Sequence, residues 1–220
     1  MFGFFYNFII ICALFLIYSF IGWIIEVFLS LVMKHKFINR GFLIGPLVPI
    51  WGTGAILITL ILRPEDSLFN LVISSAFIGT FLEYVLNYLM EKLFKVRWWD
   101  YSQLPFNING RVCLASSCIF GVGGLLVVKI INPFLFNIFA KVNPSVFCII
   151  IMFLMMLVLA DFCISFNIIQ KLKISAESVR KDYTEEISKK VRATLMDKSF
   201  GFKRLLKAFP NVKFSSKKKR

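Results

Sequence analysis

Stretches of about twenty nearly uninterrupted apolar residues recur along this chain, long enough at 1.5 Å per helical residue to cross the roughly 30 Å hydrocarbon core of a bilayer. In that medium a backbone N–H or C=O left without a partner is costly, so a spanning segment has to be a helix or part of a closed barrel. Runs of this length read as helices. We therefore expect an all-α integral membrane protein with five transmembrane helices, at about residues 4–33, 42–62, 68–90, 112–131 and 145–169. Composition agrees: 58% of residues are hydrophobic and 17% charged, against about a quarter charged in a soluble domain. The first run lacks a basic leading segment and far exceeds a signal-peptide core, so it reads as a retained span. Residues 1–170 form the expected bundle, and residues 171–220 a separate basic tail.

Lys and Arg in short loops set orientation. Lys34, Lys36 and Arg40 lie in the first loop, Lys92, Lys95, Arg97 and Arg111 flank the third, and the basic tail follows the last span. Five spans put these regions on one face, opposite Arg63, Lys129 and Lys141. The expected topology is N-terminus outside, C-terminus cytoplasmic. The five cysteines (Cys12, Cys113, Cys118, Cys148, Cys163) include no C-x-x-C pair and no metal spacing. They read as small apolar residues, which disfavours a thiol oxidoreductase. His35 stands alone between two lysines, so no histidine-based metal site is expected.

The chain also resembles itself. Phe20-Ile21-Gly22 is followed by Glu26, Leu29 and Met33, and 57 positions later Phe77-Ile78-Gly79 is followed by Glu83, Leu86 and Met90. Each copy leads into a loop with Asn, Arg and Gly, then into another span. This predicts a parallel two-helix repeat, spans one and two matching spans three and four. Sites often lie at such repeat interfaces.

Glu26 and Glu83 fall about eight residues before their loops, roughly 12 Å inside the interface. A carboxylate at that depth is expensive unless it faces the bundle interior. The glycine four residues earlier shares its helix face and lets a neighbour approach. Arg40 and Arg111, opening the returning spans, are the expected counter-charges, since a guanidinium fork suits a buried carboxylate. The cluster is either a substrate site or an ion pair that pins helix packing. Asp161 in the fifth span is a further candidate, as a proton or cation ligand or as a neutral packing residue.

Two segments break regular structure near this cluster. In Asn39–Gly52, Gly41, Gly45, Pro46 and Pro49 interrupt the start of span two. In Arg97–Arg111, Trp99 and Tyr101 suit the headgroup level, while Asn107 and Gly110 suit turns. Asp100 is a further charge, expected to pair with Arg111 or Arg40. Broken helices at matching positions of two halves point to a binding site. We expect the second segment to line or cover the cluster, an interfacial anchor being the simpler alternative.

"NRGFLIGPLVPIWG", "LEYVLNYLMEKLF" and "WWDYSQLPFNINGR" together resemble the CmpB-like family of ABC transporter type IV permeases, over about Phe20 to Asp161. The resemblance implies a small bacterial multi-pass protein of the plasma membrane that serves as a transport permease. It carries over Glu26, Asn39, Arg40, Gly41, Pro46, Pro49, Glu83, Glu91, Trp99, Asp100, Tyr101, Asn107, Gly110 and Arg111. Trp51 departs from the family's tyrosine at that position but keeps an aromatic ring.

The tail holds sixteen Lys and Arg against five acids, a net +11. Leu172, Ala176, Val179, Tyr183, Ile187, Val191 and Leu195 recur at three or four, as in an amphipathic helix. Such a helix suits an anionic lipid surface, which explains the charge without nucleic acid. No Walker A pattern, metal site or nucleophile triad is present, so catalysis is not expected and no cofactor is implied. The leading expectation is a transporter permease that would need a separate ATPase, with room for an oligomer. A small membrane enzyme acting on lipid, or a purely structural or regulatory protein, remain the alternatives.

Overall fold

The computed structural model describes residues 2–35, 37, 39, 41–94, 96–97, 99–179, 204 and 213–214. Its long helices are α1 (Phe2–Lys34), α2 (Pro49–Ile61), α3 (Leu68–Phe94), α4 (Leu114–Leu126), α5 (Asn132–Phe139) and α6 (Pro144–Val179). Short strands are β1 (Val96–Arg97), β2 (Asn107–Ile108), β3 (Val112–Cys113) and β4 (Lys213–Phe214). A π-helical turn, Val127–Ile131, joins α4 to α5 into one apolar rod over Leu114–Phe139. Among the described residues, four helices are long and apolar enough to cross a membrane, and α2 is a shorter apolar one. The fold is an all-α membrane protein.

Two spans differ from expectation. The second is helical only from Pro49, because Pro49 has no N–H to give and fits the first helical turn. Residues 41–48 before it are irregular. The fourth runs on past Ile131, through Asn132 and Pro133. The Asn132 N–H bonds back five residues to Val127 O, and the widened turn accommodates the proline. The Asn132 side chain is buried between Tyr18 Oη, which donates to it at 2.6 Å, and Thr59 Oγ1, which accepts at 2.9 Å. Helix ends are set locally: Ser67 Oγ accepts Asn70 N–H at the start of α3, and Asn143 Oδ1 accepts Ser145 N–H at the start of α6.

The bundle is two hairpins, α1 with α2 and α3 with α4, with α6 packed mainly on α1. Small residues set the spacing in both. A Cβ added to Gly22 would lie 2.5 Å from Trp51 Cβ, and one added to Gly79 would lie 2.6 Å from Phe120 Cβ. A Cβ on Gly52 would meet Phe15 O at 2.6 Å, and one on Gly121 would meet Val72 O at 2.9 Å. With lipid as apolar as Leu, such close backbone packing is what draws membrane helices together. The Trp51 and Phe120 rings meet where the hairpins join, centroids 6.4 Å apart.

Candidate functional site

On α3 the buried residues Leu71, Ser75, Gly79, Glu83 and Asn87 recur every fourth position, so one stripe faces inward. Gly79 admits Phe120, and the next two places on the stripe are polar. Glu83 is 6% exposed and Asn87 1%. Tyr101 Oη donates to Glu83 Oε1 at 3.0 Å, and Asn87 Nδ2 donates to Trp99 O at 3.1 Å. Glu83 Oε2 and Asn87 Oδ1 are buried without a hydrogen-bond partner among the described residues. The Ser116 hydroxyl lies beside the carboxyl and shares its proton between it and Cys113 O, 2.9 Å away.

The segment 99–113 reaches this stripe because it is tightly folded. Asn109 and Gly110 have φ of 54° and 64°, the left-handed pair a type I′ hairpin turn needs. The turn pairs Asn107 with Cys113 and Ile108 with Val112. Asn107 Oδ1 accepts Gly110 N–H at 2.9 Å, Tyr101 N–H donates to Gly110 O at 2.8 Å, and Trp99 Nε1 donates to Arg111 O at 3.1 Å. Residues 99–101 are thereby laid along the turn with Tyr101 against α3. Asp100 accepts from the Ser102 N–H at 3.1 Å and from its hydroxyl. Burial first, then the Glu83 charge, pushes the Tyr101 phenol well above its ordinary pKa; Glu26 adds to the same push. Glu26 thus lies within electrostatic range of Tyr101.

Arg111 is placed differently from expectation. It pairs with Glu91, Nη2 to Oε2 at 2.7 Å, rather than with Glu83. Its guanidinium also lies 5.5 Å from the Tyr84 ring centre and 5.4 Å from that of Tyr88. Tyr84, Tyr88 and Glu91 are spaced i, i+4, i+7 on α3, a ready seat for a planar cation. Arg40 lies outside the described residues, as does most of the tail beyond Val179.

Asp161 and Asn39 brace the irregular stretch ahead of α2. Asp161 accepts Ile44 N–H at 2.9 Å, Gly45 N–H at 2.7 Å and the Ser165 hydroxyl at 3.0 Å. Asn39 accepts Trp23 Nε1 at 2.7 Å and donates to Ile44 O at 2.9 Å, while Val48 N–H donates to Ser19 O at 2.9 Å. Arg204 donates to Gly41 O and Leu43 O. Burial lowers the Arg204 pKa, against the pull of Asp161. Non-helical backbone at membrane depth needs this kind of complete accounting. Asp161→Ala removes a charged acceptor from two N–H groups and is expected to cost about 3 kcal/mol. Asp161→Asn, keeping one acceptor oxygen, should lose about half of that. Thermal unfolding in detergent compares the two, and equal stability of Asp161→Ala and the parent would contradict the bracing role.

A family model described as "Putative ABC-transporter type IV" matches residues 13–166. The chain belongs to that family. No curated protein and no solved structure matches it. The match to this ABC-transporter type IV family takes in both hairpins, the 99–113 segment and Asp161. Sequence reasoning for a family member of this kind passed over Asn87 and Ser116. An asparagine inside an apolar span, four residues after a glutamate, was the available signal, since polar groups there are seldom idle.

Proposed function

We propose that this chain is the membrane-embedded permease of a transport system, carrying its solute past Glu83 and drawing energy from a separate ATPase subunit. The observation that carries the reading is Glu83 itself: an inward-facing carboxyl inside a transporter-family bundle, with one oxygen unmatched among the described residues. A carboxyl kept there at a cost to stability is better explained by work than by packing. The 99–113 segment supplies the polar lining through Tyr101, while Arg111, Glu91, Trp99 and Asn107 hold it in shape.

In this reading the two hairpins are copies of one unit. Contacts at matched positions support it: Gly22–Trp51 with Gly79–Phe120, and Gly52–Phe15 with Gly121–Val72, offset by 57 in the first helix and 69 in the second. The solute has an apolar part. An apolar cleft of about 370 Å³, lined by Leu104, Pro105, Phe106, Leu114, Ala115 and Cys118, opens beside the Tyr101 segment. The loops carrying Tyr101 and Asn39 face the cytoplasm of a bacterial cell, with the +11 tail on anionic lipid beside them.

The test is purification from native membrane followed by reconstitution in liposomes. An ATPase should co-purify, and the pair should move an amphiphilic solute only with ATP present. The apolar cleft also suits a lipid-modifying enzyme. Altered lipid species by mass spectrometry, with no ATPase and no flux, would replace transport with that activity.

A further inference from the structure

Hydrogen-bond donors are few around Glu83. Tyr101 spends its single proton on Glu83 Oε1, Asn87 donates its amide to Trp99 O, and the one Ser116 hydroxyl proton is shared between the carboxyl and Cys113 O. What remains is acceptor only: Glu83 Oε2 and Asn87 Oδ1, one helical turn apart on the same stripe, both buried and unmatched among the described residues. Two such atoms on one stripe are costly unless something positive or hydrogen-donating meets them.

The Glu83 charge itself favours a positive occupant. Glu26 of α1 lies within electrostatic range of Glu83 and is engaged by a partner of its own. From the loop and β3 come the Tyr101 phenol and the Cys113 thiol, neutral in their ordinary forms, and from α4 the Ser116 hydroxyl. Arg111, the nearby cation from the loop, is engaged by Glu91 and the Tyr84 and Tyr88 rings. No group of three or more His, Cys, Asp or Glu suited to a metal ion occurs among the described residues, so the two oxygens suit a proton or an ammonium group better than a bare metal ion.

We propose that Glu83 Oε2 and Asn87 Oδ1 form a binding site for one monovalent cationic group: a proton, or the ammonium head of the carried solute. The site rests on the transport reading for its purpose, as the place where charge accompanies the solute, but not for its existence. The oxygens supply the ligation, Glu83 the compensating charge, and the Tyr101 hydrogen bond holds the carboxyl in place.

Thermal unfolding of the full chain in detergent tests it, in choline chloride at constant ionic strength with stepwise exchange for sodium, potassium or methylammonium chloride. A second arm runs a pH series in choline alone. A ligand that binds only the folded state raises the midpoint in a saturable way. We expect methylammonium to do so, with the response lost in Glu83→Gln and shifted to lower concentration in Asn87→Asp, which adds charge to the same site. If the salts are equivalent but a single-proton step in the pH series disappears in Glu83→Gln, the occupant is a proton. A rise with sodium or potassium alone, or flat responses in every arm, as a bound water at the two oxygens would give, overturns the proposal. Binding without any flux in liposomes would sink the transport reading alone. Flux indifferent to methylammonium and pH would sink the cation site alone.

Discussion

Gly52→Val should leave little folded protein to purify. The added Cβ would stand 2.6 Å from Phe15 O, a backbone atom of α1 that cannot swing aside as a side chain can. Relief requires α1 and α2 to separate, which opens the contacts of Ser19 and Phe15 along the same seam. Overpacking usually costs 1–3 kcal/mol where side chains can adjust; here about 3 kcal/mol or more is expected. That is a large share of the roughly 5–15 kcal/mol that holds a typical domain folded. Gly79→Leu, pressed against Phe120 Cβ, should behave alike in the other hairpin. The control is Gly123→Ala, also within a helix, where an added Cβ meets nothing within 4 Å. It should be neutral or stabilise by up to about 1 kcal/mol, because alanine favours the helix. Monodisperse yield and unfolding midpoint in detergent report all three. Equal tolerance at Gly52 and Gly123 would mean that the hairpins are not held by close backbone approach.

Those glycines also mark what the sequence could and could not reveal. Apolar run length specified the helices, since a bilayer fixes how many residues a crossing takes. In the second F-I-G-x-x-x-E copy, Gly79 and Glu83 are both buried on one stripe of α3; in the first, Glu26 is only half-buried. The sequence failed where a local signal competes with a tertiary one. The fourth span is expected to end at about Ile131, yet a π turn and the Tyr18–Asn132–Thr59 hydrogen bonds carry the rod on through Pro133. Pro46 and Pro49 promised a broken helix, but the acceptor for Gly45 N–H that helps make the break tolerable comes from Asp161, one hundred and sixteen residues away. Charge matching alone assigned Arg111 to Glu83. It overlooked the aromatic pair Tyr84 and Tyr88, whose faces attract a guanidinium, with Glu91 completing the seat. Asp161 itself was open between a cation ligand and a packing residue, and its two backbone partners place it with the irregular stretch before α2.

Glu83→Gln should separate function from stability with opposite signs. In the parent, a buried carboxyl oxygen and a buried amide oxygen lack donors among the described residues, and an ionised acid there bears a desolvation cost. Glutamine keeps the shape and still accepts the Tyr101 proton through its carbonyl. Its NH2 falls on the stripe where Asn87 Oδ1 needs a donor, one turn along α3. In choline chloride, with no cation to fill the site, removing an unmatched group and adding a hydrogen bond should stabilise the protein by about 1–2 kcal/mol. Solute flux in liposomes should fall to that of protein-free vesicles, because the charge is gone. Such a trade is the mark of a group retained for activity rather than for packing. A carboxyl that only pins helices behaves in the reverse way: the variant loses stability and keeps its flux. Glu83→Asp adds the distance dependence. One methylene shorter, the acid keeps its charge but draws back from Tyr101, so partial flux with lowered stability is expected. A Glu83→Gln protein that melts earlier than its parent while transporting normally would return the whole cluster to a structural role.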